Sequence, residues 1–452
     1  MARNEWIGES YVDENGKKDK SITRKLASNL DIEGLSLGSY EFINSYKGIY
    51  PNIKYFSVKH NYSQPDKLYY YLDSGGNINV VAYDHTVDFW GYNGNKKLVI
   101  NKYNKDMKFL SQKIIDLPYD LWGGFYQGKD GNFYIVCGQE NSECSRTKSV
   151  LKVLKYDQNW KLIGSTDIYG SATNVYEGIQ LPFRSGNCRM DMKDNLLIIH
   201  MSRLMFPASD GISHQGNITF IIDVNTMKEV KNIPIPYVSH SFNQFVKYDN
   251  DNMLYIDHGD AYPRSICATL VKKNGQVKEL ELFKFHSGVG HYNYTGAMLS
   301  GLGIGLKNNI IVGMAQPHDY EIDGITGYGN DLAYNIYQII IDKDLNKSTF
   351  KWITQYNPKK TTKVVNEPRL VKISDNRFAV IFSEEDNGID TLQYRLIDDN
   401  GNILASHSYR GIHFPASSDP IIVDNNIVWV APDKGAHTSK VNYFYKIPIL
   451  YR

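Results

Sequence analysis

Histidine, tyrosine and arginine crowd into one part of the sequence, next to hydroxyl and carboxylate groups. The densest segment is Asp257-His258-Gly259-Asp260-Ala261-Tyr262-Pro263-Arg264, and His240 stands between two serines shortly before it. A histidine or tyrosine with a suitable pKa can remove a proton, while an arginine stabilises the negative charge that develops. The candidate catalytic residues are therefore His240, His258, Tyr262 and Arg264.

A second set of aromatic, cationic and carboxylate residues falls at comparable places in the chain. The candidate substrate-binding residues are Trp122, Arg184, His200, Arg203, His214, Asp260, His318, Glu367 and Arg369. Some of these residues also have a purely structural interpretation. The segment 257–264 could be a turn held by an Asp–Arg pair, His240 an interior histidine, and Arg203 a partner of Asp210.

A metal site was considered for His200, His240, His258 and His318, which follow or precede apolar runs. The sequence lacks the Cys/His spacing of a zinc site, and it cannot show whether these side chains converge. We therefore predict no metal and no other cofactor.

The elements that position these residues come from a repeat. A polar turn ending in asparagine, followed by a short and mostly apolar run, occurs seven times. The asparagines are Asn77, Asn132, Asn195, Asn252, Asn309, Asn376 and Asn426. A second turn rich in Asp, Asn and Lys separates each pair, so each unit contains two hairpins and four antiparallel strands. Seven such units predict an all-β, seven-bladed β-propeller over residues 36–452.

Two other all-β architectures fit the repeat less well. A pair of sandwiches would not repeat seven times, and a solenoid would have shorter repeats and end caps. The seventh unit ends without a fourth strand, and we expect the segment from Ser36 to Ser45 to supply it, which would remove an exposed edge. Residues 1–35 would then form an N-terminal extension.

The repeat also predicts where the candidate residues meet. In a propeller, the first strand of a blade starts on the same face on which the second strand ends. The His and Arg candidates occupy those positions, whereas the turns of the other face carry Lys, Asp, Asn and Gly. The long connections 200–217 and 316–335 belong to the first face, and long loops on a rigid ring commonly carry function. We therefore predict one His- and Arg-rich functional face.

Composition excludes several classes of protein. The 452 residues are 42% hydrophobic, which is enough for a core and excludes global disorder. A net charge of +1 argues against a nucleic-acid-binding or polybasic membrane-surface protein. The sequence contains no apolar run long enough to predict a membrane span. We expect a monomer. Tyrosine is in excess, with 34 residues against 18 phenylalanines, and it favours half-buried strands and binding surfaces.

The N-terminal segment Trp6-Ile7-Gly8-Glu9-Ser10-Tyr11-Val12-Asp13-Glu14-Asn15-Gly16-Lys17 combines aromatic residues with an Asn-Gly turn. It resembles one unit of the cell-wall-binding repeats, of the choline- or glucan-binding type, of secreted Gram-positive proteins. An ordinary hairpin is the alternative. The resemblance implies an extracellular or cell-surface bacterial protein, and we expect its signal peptide to be missing from this chain.

The four cysteines divide into two pairs. Cys137 and Cys144 flank a short polar loop, a spacing that suits a disulfide in an oxidising compartment, although two thiols fit equally well. Cys188 and Cys267 are predicted to be buried thiols.

Three functions remain open, and the sequence does not decide whether the protein is an enzyme. The first is an extracellular carbohydrate-interacting propeller that binds a glycan or a protein on the His- and Arg-rich face. The second is a polysaccharide lyase acting on a uronic-acid glycan. The third is a glycoside hydrolase using two carboxylates from among Asp260, Glu367, Glu384 and Asp419.

Overall fold

The computed structural model describes most of the chain. The described residues are 5–7, 9–13, 15–32, 63–84, 97–171, 178–231, 233–285, 295–316, 334–357, 361–366, 368–414, 418–432 and 440–450. They form strands and turns without a helix, so none of them lies in a helix that could cross a membrane.

The strands follow the chain in groups, beginning with three near the N-terminus. These three are β1 (Glu5–Ile7), β2 (Ser10–Val12) and β3 (Lys18–Leu26). Blade 1 contains β4 (Leu68–Leu72), β5 (Ile78–Asp84), β6 (Lys97–Tyr103) and β7 (Phe109–Asp116). Blade 2 contains β8 (Leu121–Gln127), β9 (Phe133–Gly138), β10 (Ser149–Tyr156) and β11 (Leu162–Tyr169). Blade 3 contains β12 (Leu181–Pro182), β13 (Cys188–Lys193), β14 (Leu196–Pro207), β15 (Ser213–Asp223) and β16 (Lys228–Glu229).

The remaining strands complete the ring. Blade 4 contains β17 (Ser241–Asp249), β18 (Asn252–Gly259), β19 (Ser265–Val271) and β20 (Val277–Lys284). Blade 5 contains β21 (Ala297–Ile304), β22 (Asn308–Ala315), β23 (Asn335–Asp342) and β24 (Ser348–Trp352). Blade 6 contains β25 (Val364–Val365), β26 (Arg369–Ser374), β27 (Arg377–Asp386), β28 (Ile389–Asp398) and β29 (Ile403–Arg410). Blade 7 contains β30 (Ile421–Val423), β31 (Asn426–Pro432) and β32 (Asn442–Pro448), together with β1 to β3.

These strands form seven antiparallel sheets, each built on a run of four strands, and the sheets make a seven-bladed β-propeller. The predicted fold is confirmed. Burial follows the order of strands within a blade: the second strand β5 is almost wholly buried, whereas the fourth strand β7 is largely exposed. Inner strands are mostly buried because neighbouring blades cover both of their faces.

A recurrent turn explains why the chain reverses where it does. Asp157 Oδ1 accepts hydrogen bonds of 2.9 Å from the backbone N–H groups of Asn159 and Lys161. Asn104 and Asp398 do the same for the residues two and four positions later. A short polar side chain closes such a turn by accepting the backbone N–H hydrogen bonds that a carbonyl would otherwise accept. Turns of this kind connect the third and fourth strands of several blades.

The hydrophobic core is divided among the joints between blades. Seven clusters of buried apolar residues are found in the described part of the chain, and each joins two successive blades. One cluster packs Val428, Val430 and Phe444 of blade 7 against Leu68 and Val80 of blade 1. The ring is therefore closed by the same apolar packing that joins its other blades.

The strand that completes blade 7 differs from our expectation. β3 pairs with β32 in the register Thr23↔Lys446 to Leu26↔Tyr443, so the missing strand is Lys18–Leu26 rather than the segment from Ser36 to Ser45, which lies outside the described residues. Ile22, fully buried, packs in the cluster between blades 6 and 7. Burial of this apolar side chain anchors β3 to the ring. The strands β1 and β2 extend the same sheet outward.

Candidate functional site

Most of the predicted site residues lie at the expected edge of the blades, but many of their side chains are buried in the protein interior. His200 on β14 is fully buried, with its Nδ1 2.8 Å from Thr219 Oγ1 and its Nε2 3.1 Å from Asp257 Oδ2. Ser241 Oγ donates to the other oxygen of Asp257 over 2.6 Å, and so does Asn217 Nδ2 over 3.0 Å. This network joins blades 3 and 4 and is closed to a substrate.

The dense segment 257–264 is also held mainly by contacts within the protein. His258 Nε2 is 2.8 Å from Thr295 Oγ1, and its ring packs against Phe285 at 4.9 Å between centroids. Burial, aided by the charge of Arg264, lowers the pKa of His258 to about 3. Arg264 forms an ion pair with fully buried Asp260. His258 is therefore neutral and inaccessible, and Arg264 is engaged before any substrate arrives.

Two of the predicted residues, His214 and His240, come together at the surface. We call Asp210, His214, Ser239, His240 and Tyr262 the histidine patch. His214 Nε2 is 2.8 Å from Asp210 Oδ2, His214 Nδ1 is 3.4 Å from His240 Nε2, and His240 Nδ1 is 2.8 Å from Ser239 Oγ. His214, Ser239 and His240 are half-buried, whereas Asp210 is exposed. A continuous chain of polar groups thus reaches the solvent at the junction of blades 3 and 4.

Tyr262 lies on the turn between β18 and β19. Its ring is 75% exposed, although most large side chains in the described residues are buried. The turn that carries it is tied to His240, because the N–H of Asp260 donates to the carbonyl of His240 over 3.0 Å. Burial and the neighbouring His214 lower the pKa of His240, which keeps its ring neutral at pH 7.

The remaining predicted residues are dispersed. Trp122 is buried, stacks on Tyr83 at 5.0 Å and donates from Nε1 to the carbonyl of Asp66 over 2.7 Å. Arg203 is fully buried and donates to the carbonyl of Gly178 rather than pairing with Asp210. Arg184 is half-buried in the loop before β13. His318 and Glu367 lie outside the described residues.

Arg369 belongs to a different assembly, on the propeller axis. Its Nη2 donates to Asp66 Oδ1 over 3.1 Å and its Nη1 to Asp419 Oδ1 over 3.2 Å. Arg189 of β13 donates to Asp66 Oδ2. We call Asp66, Arg189, Arg369 and Asp419 the axial ion network; it connects blades 3, 6 and 7 to the segment that precedes β4.

Residues 63–67 form a strap that carries Asp66 across the ring. Its first N–H, that of Ser63, donates to the carbonyl of Phe242 in blade 4 over 2.9 Å. At its other end, the carbonyl of Lys67 accepts from the N–H of Tyr83 in blade 1 over 2.9 Å. Asp66 and Arg189 are not among the predicted residues, although both are charged and lie near the start of an innermost strand, the position that predicted Arg369.

The metal and paired-carboxylate hypotheses gain no support from these positions. Among the described residues, no three or more His, Cys, Asp or Glu side chains are grouped to hold a metal ion. Of the proposed carboxylates, Asp260 pairs with Arg264, Asp419 with Arg369, and Glu384 with Lys363 at 2.9 Å.

All four cysteines are free thiols. The disulfide considered for Cys137 and Cys144 is not formed, because Cys137 is buried within β9, in the cluster between blades 1 and 2, while Cys144 lies in the loop that follows. Cys188 and Cys267 are buried, as predicted.

Comparison with known proteins adds only structural neighbours. No protein-family model matches the sequence, and no curated protein sequence matches it either. A fungal alcohol oxidase of the AA5 family, in complex with copper, superposes with a TM-score of 0.44 at 11% identity, over 86% of this chain and 75% of that one. A Synechocystis apocarotenoid oxygenase variant gives 0.41 at 9% identity, over 79% and 89%. Drosophila Plexin A bound to Semaphorin 1b gives 0.38 at 8% identity, over 86% and 88%. Likeness at this level says nothing about function.

Proposed function

We propose that this protein is an extracellular carbohydrate-binding propeller that holds its glycan at the histidine patch. The observation that carries the proposal is the 75% exposure of Tyr262, on a turn whose backbone is hydrogen-bonded to the half-buried His240. An exposed aromatic ring next to fixed hydrogen-bonding groups is the usual composition of a surface that recognises sugars or proteins. The extracellular location rests on the resemblance of residues 6–17 to cell-wall-binding repeats.

The chemistry of the patch suits neutral sugar hydroxyls. The ring of Tyr262 offers an apolar face on which a pyranose can pack, while Asp210 accepts and Ser239 both donates and accepts hydrogen bonds. The partners within the patch already hold the two imidazoles in place, so little conformational entropy is lost when a ligand binds.

Binding is favoured over catalysis because the groups that a catalyst needs are engaged elsewhere. Arg264 is held by Asp260 and Arg203 by the carbonyl of Gly178, so neither is placed to neutralise the carboxylate of a uronic acid. His258 is fully buried. A binding site requires none of these groups.

A glycan array probed with labelled protein tests the proposal. Binding to one class of glycan is expected, and the Tyr262→Ala variant should lose it. Tyr169→Ala is the matched control, because Tyr169 is 48% exposed on the outer strand β11 of blade 2. Absence of binding to every glycan, or equal binding by both variants, would contradict the proposal.

A polysaccharide lyase is the second candidate, and one observation favours it. The lowered pKa of His240 leaves a neutral imidazole at the surface, which could accept the proton that a lyase removes. The test is the ultraviolet absorbance of unsaturated products from a panel of uronic-acid glycans. Product formation that His240→Gln abolishes would support the lyase, and an unchanged absorbance across the panel would exclude these substrates.

A further inference from the structure

The propeller contains a cavity on its axis, and no residue of the histidine patch lines it. It has a volume of about 750 Å³ and is lined by residues of the innermost strand of every blade: β4, β8, β13, β17, β21, β26 and β30. This volume lies within the range of 300 to 1,000 Å³ that is usual for sites of small organic molecules. We call it the axial cavity.

The ends of the axial cavity differ. At the end where the innermost strands begin, Arg189 and Asp419 of the axial ion network line it. At the end where those strands finish, the lining includes the exposed side chains of Leu72, Lys129 and Lys372. The cavity is therefore polar at one end, where its charges are paired within the protein. At the other end it opens beside Lys129 of a hairpin turn and Lys372 of β26.

The wall between these ends is mainly apolar. It is formed by aromatic and aliphatic side chains from six blades, Tyr69, Phe125, Phe245, Leu302, Leu370 and Ile421. Several of these surfaces, such as those of Tyr69, Leu370 and Ile421, are only partly buried by the protein itself. A ligand with an apolar body would cover them and gain about 25 cal/mol for each Å² removed from water.

The charges in the cavity favour an anion. Four cationic side chains line it, Lys129, Arg189, Lys247 and Lys372, against two carboxylates, Asp191 and Asp419. Both carboxylates are already engaged within the protein: Asp191 accepts from Tyr126 Oη and from the N–H of Tyr248, and Asp419 accepts from Arg369. Two of the cations are engaged as well, Arg189 with Asp66 and Lys372 with Asp375. Lys129 and Lys247 form no ion pair among the described residues, so unpaired positive charge faces a confined space, where it attracts anions.

Arg189 is the residue best placed to hold an anionic head group. It stacks over Phe245 at 4.7 Å and bonds to Asp66 through Nη1. Its Nε is buried and has no hydrogen-bond partner among the described residues. The side chain of Arg189 as a whole is 13% exposed and lines the axial cavity, so the anionic oxygen of a ligand can contact it there.

We propose that the axial cavity binds a small amphipathic organic anion, an acyl or aromatic carboxylate. Its carboxylate meets Arg189, its body lies along the apolar wall, and the lysines at the open end attract it. The ligand is thus distinct in class and in place from the glycan proposed for the histidine patch.

Isothermal titration calorimetry with decanoate and naphthoate tests this, with decyltrimethylammonium as the cationic counterpart of decanoate. At least one carboxylate should bind about tenfold or more tightly than the cation, and more weakly as salt is raised. The triple variant Lys129→Glu, Lys247→Glu, Lys372→Glu should weaken carboxylate binding roughly tenfold or more. A control with the same charge change, at Lys20, Lys105 and Lys161, uses exposed lysines that do not line the cavity and should bind as the parent protein does.

An Ile421→Trp variant, whose larger side chain fills part of the axial cavity, distinguishes binding in the cavity from binding at other sites. It should abolish carboxylate binding while leaving glycan binding at the histidine patch unchanged. Equal affinity for decanoate and the cation, no binding of either carboxylate, or equal affinity in the two triple variants would overturn the proposal. The two triple variants exchange only exposed or half-buried lysines, so the test stands even if Ile421→Trp does not fold.

Discussion

Arg369 donates a hydrogen bond from Nη2 to Asp66 Oδ1 across the axis of the propeller, between residues that are 303 positions apart in the sequence. Asp66 is 7% exposed and Arg369 4% exposed, so the pair is shielded from water. Arg189 satisfies the second carboxylate oxygen of Asp66. The carboxylate is thus shared by two arginines from blades 3 and 6, and it fixes the strap 63–67 to both.

Removing Asp66 should therefore destabilise the whole ring. Asp66→Ala leaves two buried guanidinium groups without their shared partner, and we expect the free energy of unfolding to fall by about 3–5 kcal/mol. Asp375→Ala is the control, because its pair with Lys372 is exposed and should contribute less than about 1 kcal/mol. Urea unfolding followed by circular dichroism measures both. A change at Asp66 no larger than that at Asp375 would show that the network does not hold the ring.

Ring closure by the N-terminal strand gives a second prediction. Ile22 is fully buried between blades 6 and 7, so Ile22→Ala should reduce the free energy of unfolding by about 2–5 kcal/mol. Lys20→Ala, an exposed change on the same strand, should stay within about 0.5 kcal/mol of the parent. Similar values for the two variants in thermal or urea unfolding would mean that β3 does not close blade 7.

The buried His258 predicts a specific loss of stability in acid. Its pKa is about 3 in the folded protein against 6.5 as the ordinary value, so the unfolded chain binds the extra proton first as pH falls. The contribution of the neutral ring is complete above pH 6.5 and declines toward pH 3, by up to about 1.4 kcal/mol per pH unit.

Urea unfolding as a function of pH checks this. His258→Gln, which can still bond to Thr295, should depend less on pH between 6.5 and 4 than the parent does, whereas His407→Gln, at an exposed position on β29, should follow the parent. Parallel pH curves for the parent and His258→Gln would contradict the assignment of a neutral buried ring.

The thiols give a fourth prediction. Cys144 is half-exposed, whereas the other three cysteines are buried, and burial raises the pKa of Cys137 to about 12 and that of Cys188 and Cys267 well above the ordinary value. The thiolate is the reactive form, so a thiol reagent should label Cys144 alone in the folded protein and all four after denaturation. Rapid labelling of a second cysteine in the native state would show that a blade opens easily.

The fold could be predicted from the sequence because its signals are local and repeated. Asn77, Asn132 and Asn426 each precede or begin the second strand of a blade, as the spacing of the repeat requires. Polar turns and apolar runs depend only on near neighbours, and seven copies make the pattern clear. The closing strand was misplaced because β3 is short of apolar residues, so Ile22 alone marks its buried face.

The site could be predicted only in part, for a physical reason. The repeat places a residue at an edge of a blade, but side chains alternate between the two faces of a strand. His200, Arg203 and His258 are at the expected edge and are buried between blades, whereas His214, His240 and Tyr262 reach the surface. Ion pairs between blades, such as that of Asp66 with Arg369, join residues that are far apart in the sequence. A local sequence pattern cannot predict them.

The central claim is that the histidine patch binds a glycan through the exposed ring of Tyr262. The most direct test is a binding isotherm of the array-selected glycan for the parent protein, Tyr262→Ala and Tyr169→Ala. Loss of the stacked ring should weaken binding by about 1–3 kcal/mol, roughly 5- to 150-fold, in Tyr262→Ala, with Tyr169→Ala unchanged. Equal dissociation constants for all three proteins would contradict the account.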